Sequence, residues 1–184
     1  MPEKIPQNIG ALVGDIGEQQ VLLRLALFAH ASKKWQVYRN VGETGYDILL
    51  VKKGSRKRIA IEVKTRQKIF TTSKRQNVVL FFITPGERKA CNFLVGYFLD
   101  RNDFYIVPKK ELKLSWRSRR YLYFVTLDKQ GNPAKKHLKY LNNWSLIDKD
   151  FDWSKLEAKL RPNSSLQRTH SKRKRGKANR KARR

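Results

Sequence analysis

Hydrophobic positions recur along the chain with two periods, and they divide it into elements. From Ile9 to about Lys33, apolar Val13, Ile16, Val21, Leu22, Leu25 and Phe28 fall at helical spacing, and Gly14 and Gly17 weaken the pattern only slightly. Three short stretches rich in β-branched and aromatic residues follow, at 35–41, 46–52 and 58–65, and predict strands. Gly54 and Ser55 supply a hairpin turn between the second and third. Residues 78–84 fit a further strand or a buried helical segment. Residues 93–99 and 104–107 predict a strand pair joined at "DRND", 121–127 a late strand, and "KQGNP" a turn. Residues 152–160 predict a short helix with Trp153, Leu156 and Leu160 on one face. Trp35, Trp116, Trp144 and Trp153 are expected in the core. No internal repeat is visible. The predicted architecture is α/β, with the first helix packed on a mixed central sheet that contains 35–41, 46–52 and 58–65.

Charge changes this picture more than composition does. Hydrophobic residues make up 40% of 184 positions, enough for one domain with a core. Against 15 Asp and Glu stand 42 Lys and Arg, a net charge of +27. Such a charge repels itself unless a polyanion is present, and nucleic acid is the polyanion whose phosphates fit. An acidic membrane surface is the competing partner, but no long apolar segment or basic amphipathic helix supports it. The charge is also uneven. Residues 1–160 hold 31 Lys and Arg with all 15 acids, whereas 161–184 hold 11 and no acid. That final stretch has one Leu and no aromatic residue, so it is expected to be disordered when free. The chain therefore divides into a domain at 1–161 and a basic nucleic-acid-binding tail at 162–184. "KRKRGKANRKARR" suits a duplex-binding arm, a nuclear import signal or an RNA-binding extension equally. Cys91 is the lone cysteine, and His30, His137 and His170 are far apart, so neither a disulfide nor a zinc site is expected. "MPEKIPQNIG" lacks the apolar core of a signal peptide. An intracellular protein is expected, in the cytoplasm or nucleoid of a prokaryote or the nucleus of a eukaryote.

The acids that remain are placed unevenly too. In a strand, residues two apart share a face, so Glu62 and Lys64 point one way while Ile61 and Val63 point the other. If 46–52 and 58–65 pair through their hairpin, Asp47 lies opposite Glu62 and Lys64. Two carboxylates beside one ammonium repel each other unless a cation intervenes. Mg²⁺ suits them, because it takes oxygen ligands and keeps waters and phosphate oxygens. The Val63 carbonyl adds a further ligand, and Lys64 is placed to orient or deprotonate an attacking water. The Glu-x-Lys triplet by itself is weak: it occurs at Glu62, Glu87, Glu111 and Glu157, four of seven glutamates. Asp100 with Glu111 and Lys113, and Asp148 with Glu157 and Lys159, have the same form. Only Asp47 and Glu62 sit on adjoining β-rich segments after a glycine-containing loop, "GETGYD".

On these residues the chain resembles the PD-(D/E)XK nuclease superfamily. Its pattern is an upstream helical acid, then Asp, then (D/E)-x-Lys on consecutive strands. "GYD" stands where Pro-Asp is frequent, with Tyr46 in place of the proline, and "IEVK" matches without departure. "GDIGEQQVLLRLA" resembles the Gly-x-x-x-Glu helix start of archaeal Holliday-junction resolvases and points to Glu18. The resemblance spans roughly residues 10–66. Downstream, "NFLVGYFLDRNDFYIVPKKEL" is closer to the paired strands of restriction-like members. The resemblance implies a restriction-endonuclease-like core and a metal-dependent endodeoxyribonuclease. Asp47 and Glu62 would bind Mg²⁺, or Mn²⁺ in its place, and Lys64 would serve the nucleophilic water. Glu18 would act through an intervening water or as an outer partner of a ligand. Cutting both strands often needs two sites, which admits a homodimer. Restriction, homing, repair and junction resolution all stay open.

Basic residues around the hairpin turn, Lys52, Lys53, Arg56, Lys57 and Arg58, are candidates for phosphate contact. So are Arg66, Lys68, Lys74 and Arg75 in the polar stretch after the third strand. Gln67 reads as a surface residue. Asp15, one turn before Glu18, reads as an acid favoured near the helix N-terminus. The alternatives to a DNA endonuclease are a non-catalytic DNA- or RNA-binding protein on the same fold and a ribosome- or RNA-associated basic protein. Intact Asp47, Glu62 and Lys64 weigh against the first.

Overall fold

A computed structural model of the chain describes residues 7–42, 45–67 and 77–160, the last four of these by backbone only. The proposed basic tail at 162–184 and the loop lysines and arginine Lys68, Lys74 and Arg75 lie outside the described residues. Contacts divide the chain into one unit through Asp152 and a second from Trp153. In the second unit the described element is a short helix, Trp153–Leu160, at the predicted position.

The first unit opens with helix α1 (Gln7–Ser32), which starts earlier than its apolar pattern suggests. Strands β1 (Trp35–Arg39), β2 (Ile48–Lys52) and β3 (Arg58–Arg66) follow as an antiparallel meander. Gly54 adopts φ +67° in the β2–β3 turn, a conformation glycine takes without steric cost. The chain then leaves this sheet for β4 (Val78–Ile83) and helix α2 (Pro85–Ala90) and returns as β5 (Phe93–Phe98), parallel to β3. Parallel neighbours need such a crossover, since no tight turn can join them. Strand β6 (Asp103–Pro108) closes the order β1-β2-β3-β5-β6. The stretch at 78–84 is thus a strand, but one that belongs to a second sheet of order β4-β8-β7, with β7 at Lys113–Leu114 and β8 at Tyr121–Thr126. No period in the sequence announces that second sheet, because each of its strands is short and its pairings join distant residues.

The mixed sheet buries both faces, and alternation sorts its residues between them. Ile48, Leu50, Ile61, Val63 and Thr65 face α1, where Val21, Leu25 and Phe28 are buried. Phe28 stacks on Phe151 at 5.3 Å between centroids, and Trp35 and Trp144 are buried in the same aromatic group, as expected. On the opposite face Leu94, Phe98, Tyr105 and Val107 pack with Phe81 and Tyr123 of the second sheet. Two glycines set these close approaches. A Cβ on Gly17 of α1 would lie 1.7 Å from Thr65 Oγ1, and one on Gly96 of β5 would lie 2.7 Å from the Phe81 ring. Gly17 is therefore the contact that lets α1 lie against β3. Trp153 is 36% exposed rather than buried, and Trp116 departs furthest from expectation. It is 96% exposed in the β7–β8 turn rather than buried, because the turn residues around it carry no apolar partners for its ring.

Candidate active site

The register of β2 on β3 brings the acids together. Ile48 stands opposite Ile61, so one step back on β2 meets one step forward on β3, and Asp47 arrives beside Glu62. The Asp47 N–H, one residue before β2, donates to the Ile61 carbonyl at 2.9 Å. Its carboxylate turns inward and accepts from the Val63 N–H at 2.6 Å. Val63 is thus tied to Asp47 through its amide. Glu62 is 2% exposed, rare for a glutamate without full pairing. It lies on the face shared with Lys64, Leu94 and Gly96, toward the second sheet.

Lys64 Nζ donates to Glu62 Oε1, and also to Glu87 Oε1 at 3.1 Å. Glu87 is a partner that sequence reading missed. It was visible only as one of four Glu-x-Lys triplets, and the crossover, not the local pattern, carries it to Lys64. Thr84 caps α2: its hydroxyl accepts from the Glu87 N–H, while Glu87 Oε2 accepts from the Thr84 N–H. This is the Thr-x-x-Glu capping box, with Pro85 at the first helical position. One oxygen of Glu87 therefore fixes the helix start and the other holds Lys64.

Burial and mutual repulsion set the electrostatics. Burial and then the charge of Asp47 push Glu62 up to about 7, against the pull of Lys64. Asp47 is raised as well, by burial first and by Glu18, although the Val63 N–H works the other way. Burial alone would lower the Lys64 ammonium, but Glu62 and Glu87 outweigh it, so Lys64 holds its proton more firmly than usual. Glu87 is held below the usual carboxylate range: its partial burial is offset by the Thr84 N–H and by Lys64. The result is a carboxylate pair short of positive charge beside a lysine already shared between two acids. Among the described residues no three His, Cys, Asp or Glu side chains gather into a metal-holding group. A cation at this place would find two protein carboxylates and would complete its shell from water or phosphate, the donor set Mg²⁺ favours.

The remaining candidates fall at different distances from this pair. Glu18 follows Gly17 on α1, so the Gly17–Thr65 contact brings it near enough to raise Asp47, while its Oε2 accepts from Arg39 Nη2 at 3.1 Å. Asp15 reaches the same guanidinium only at 4.0 Å. It lies two turns inside α1 and not at its N-terminus, so its proposed role there is corrected. Arg66 is not a free surface cation: its Nε donates to the Leu80 carbonyl and its Nη1 to that of Thr65, each at 2.8 Å. Gln67 is half-buried with its Oε1 shielded from solvent, not the ordinary surface glutamine expected. Lys52, Lys53, Arg56, Lys57 and Arg58 cluster at the other end of β2 and β3, about 17 Å along the strands from Asp47 at 3.3 Å per residue. Lys52 and Lys57 also lie over the Trp35 ring, at 5.8 and 5.5 Å. No helix among the described residues is long and apolar enough to cross a membrane.

Among the solved structures that this chain resembles are two nucleases. A bacterial homing endonuclease, I-Ssp6803I, is 20% identical, with a TM-score of 0.53 over 79% of this chain and 95% of that one. The Holliday junction resolvase Hjc of Archaeoglobus fulgidus is 16% identical, with a TM-score of 0.42 over 60% of this chain and 82% of that one. No protein-family model and no curated protein matches the chain. The helix on a mixed sheet, Asp47 immediately before β2 with Glu-x-Lys on β3, and the likeness to the homing endonuclease agree: the chain has a restriction-endonuclease-like fold.

Proposed function

We infer that the chain is a Mg²⁺-dependent endonuclease that hydrolyses DNA phosphodiester bonds. One observation carries this reading: Asp47 and Glu62 converge on a nuclease fold in a state that asks for positive charge, with Glu62 pushed up to about 7 partly by Asp47. Incidental surface acids would separate. These two stay together with a single lysine, Lys64, which Glu62 already shares with Glu87, and Glu62 is buried. Asp47, Glu62 and the Val63 carbonyl would hold the metal, Mg²⁺ or Mn²⁺. Such a metal lowers the pKa of water and offsets phosphate charge.

The chain's own residues would do the rest. Lys64 keeps its proton between Glu62 and Glu87, so it donates to the attacking water or to a phosphate oxygen and holds either in line. Glu18 shapes the field at Asp47 from α1. Lys52, Lys53, Arg56, Lys57 and Arg58, a strand length away, suit duplex phosphates several base pairs from the cut. Lys68, Lys74 and Arg75 are further candidates for phosphate contact. Arg66 would brace β3 against β4 through the Leu80 carbonyl it binds. DNA is the proposed partner, and a homodimer would cut both strands.

Cleavage of linear, branched and single-stranded DNA with Mg²⁺ or with chelator tests the reading. Asp47→Ala, Glu62→Ala and Lys64→Ala should each lower Mg²⁺-dependent cleavage by about 10²–10⁴-fold, as loss of a positioned acid or base usually does. Glu111→Ala, which removes a Glu-x-Lys glutamate from a turn elsewhere, should cleave normally. Absence of cleavage by the wild type on every DNA would leave the non-catalytic binding protein as the better reading. Equal damage from Glu111→Ala would overturn the site.

A further inference from the structure

The β7–β8 turn, residues 115–120, carries an indole that the fold does not use. Trp116 is 96% exposed, and Leu114 before it is 53% exposed. Arg117, Arg119 and Arg120 surround it, all exposed, and none takes part in the ion pairs found among the described residues. The turn is nevertheless built. The Ser115 N–H donates to the Arg120 carbonyl at 2.8 Å and the Arg119 N–H to the Ser115 carbonyl at 3.0 Å, with Arg119 at φ +50°. A large aromatic face is thus held in water at the tip of a closed turn with three cations and no acid.

Register places this turn beside the candidate site. Ile83 pairs with Tyr121, and Tyr121 with Leu114, so the turn leaves the second sheet at the strand end that leads into Thr84 and α2. The Arg88 guanidinium of α2 lies 4.3 Å over the Tyr121 ring, one residue after the turn and one residue after Glu87. The same helix holds Lys64 through Glu87.

We propose that the 115–120 turn is a stacking finger for DNA: Trp116 stacks on an unpaired or unstacked base, and Arg117, Arg119 and Arg120 hold the phosphates on either side. The charge selects a polyanion, and the indole selects one with exposed aromatic faces. In an intact duplex the base faces are covered and only their edges are open. The finger therefore favours DNA with a bulge, a flap or an opened step over a perfect duplex. This rests on DNA being the partner in the proposed function, and it adds which residues meet the bases and which form of DNA they select.

Binding in chelator, without cleavage, tests the finger separately from the chemistry. The probes are a 30-base-pair duplex, the same duplex with a single-nucleotide bulge, and one of its strands. Wild type should bind the bulged duplex and the single strand more tightly than the intact duplex. Trp116→Ala should weaken binding about tenfold on those two, within the range measured for base–aromatic stacking, and much less on the intact duplex. Trp116→Phe should retain most of the preference. Arg117→Ala should weaken all three and reduce the log–log salt slope by about 0.9 on the duplexes and about 0.7 on the single strand. Equal affinity of Trp116→Ala and wild type for all three would overturn the proposal. So would a loss of self-association in DNA-free Trp116→Ala with DNA affinity unchanged, which would make this face a contact between copies of the chain. A Trp116 effect on binding in a protein that never cleaves would keep the finger and remove the nuclease reading. Mg²⁺-dependent cleavage with no Trp116 effect on binding would do the reverse.

Discussion

At the scale of single residues, the candidate site is a place where the fold is held against its own charge. Glu62 sits at about 7 when folded and at 4.5 in an open chain, so between these values the folded protein keeps a proton that the unfolded one has released. Stability without metal should therefore fall as pH rises from about 4.5 through 7, by at most about 3 kcal/mol at 1.36 kcal/mol per pKa unit. Glu62→Gln should flatten this decline. It should also raise the metal-free Tm at pH 8 by several degrees, since 1 kcal/mol moves Tm by about 2–4 °C at this size. Mg²⁺ should stabilise wild type and not Glu62→Gln, because a ligand that binds the folded form alone adds to its stability. Thermal melts at pH 5 and pH 8, with Mg²⁺ and with chelator, decide this. A Glu62→Gln melt that tracks wild type at both values would mean that burial and Asp47 do not raise Glu62 as described. Glu87 allows a second test. It grips Lys64 with one oxygen and the Thr84 N–H with the other. Glu87→Gln can keep the cap while weakening the charged contact to Lys64, so it should lower kcat for cleavage while leaving KM and Tm nearly unchanged. A fall in Tm as large as that from Thr84→Ala would make Glu87 a helix cap and nothing more.

Elements position these residues, and two glycines in one helix separate local propensity from packing. By propensity alone, Gly→Ala inside a helix stabilises by about 1 kcal/mol. Gly14 meets nothing within 4 Å, so Gly14→Ala should show that gain. Gly17 would place a Cβ 1.7 Å from Thr65 Oγ1, so Gly17→Ala should destabilise the protein and shift Glu18 away from Asp47. Denaturant melts of the pair give opposite signs; a gain in both would mean that α1 does not rest on β3 at Gly17. In sequence both glycines looked like mild weaknesses of a helix, because their difference is a contact between residues 48 positions apart. The same limit explains what else was legible. The meander from β1 to β3, and with it Asp47 opposite Glu62, could be read because a hairpin turns period-two alternation into register. The β5–β6 pair was readable for that reason. The second sheet, the crossover through α2 and the Glu87–Lys64 contact depend on pairings that no local period reports. Trp116 was misread as core because burial statistics describe a residue type, whereas its exposure follows from a turn with no apolar surface to fold against.

For the whole molecule the charge is the dominant fact, and its distribution separates the proposed holding of DNA from the proposed chemistry. Of a net +27, residues 161–184 carry 11 positive charges and no acid, while the proposed chemistry lies wholly within residues 18–87. Phosphate contacts give affinity without choosing a sequence, and each one releases counterions as it forms. Deleting 162–184 should then weaken DNA binding at low salt and flatten the dependence of log Kd on log salt by about 0.9 for every phosphate that the tail neutralises. It should leave the bulge preference assigned to Trp116 intact, because that preference comes from a base and not from a phosphate. It should also leave the rate of cleavage at saturating DNA near the wild-type value, since none of Asp47, Glu62 or Lys64 is touched. Binding titrations across a salt series, paired with single-turnover cleavage, measure the three quantities apart. An unchanged slope would show that the tail does not engage the duplex. A fall in the saturated cleavage rate would show that the tail contributes to chemistry as well as to capture.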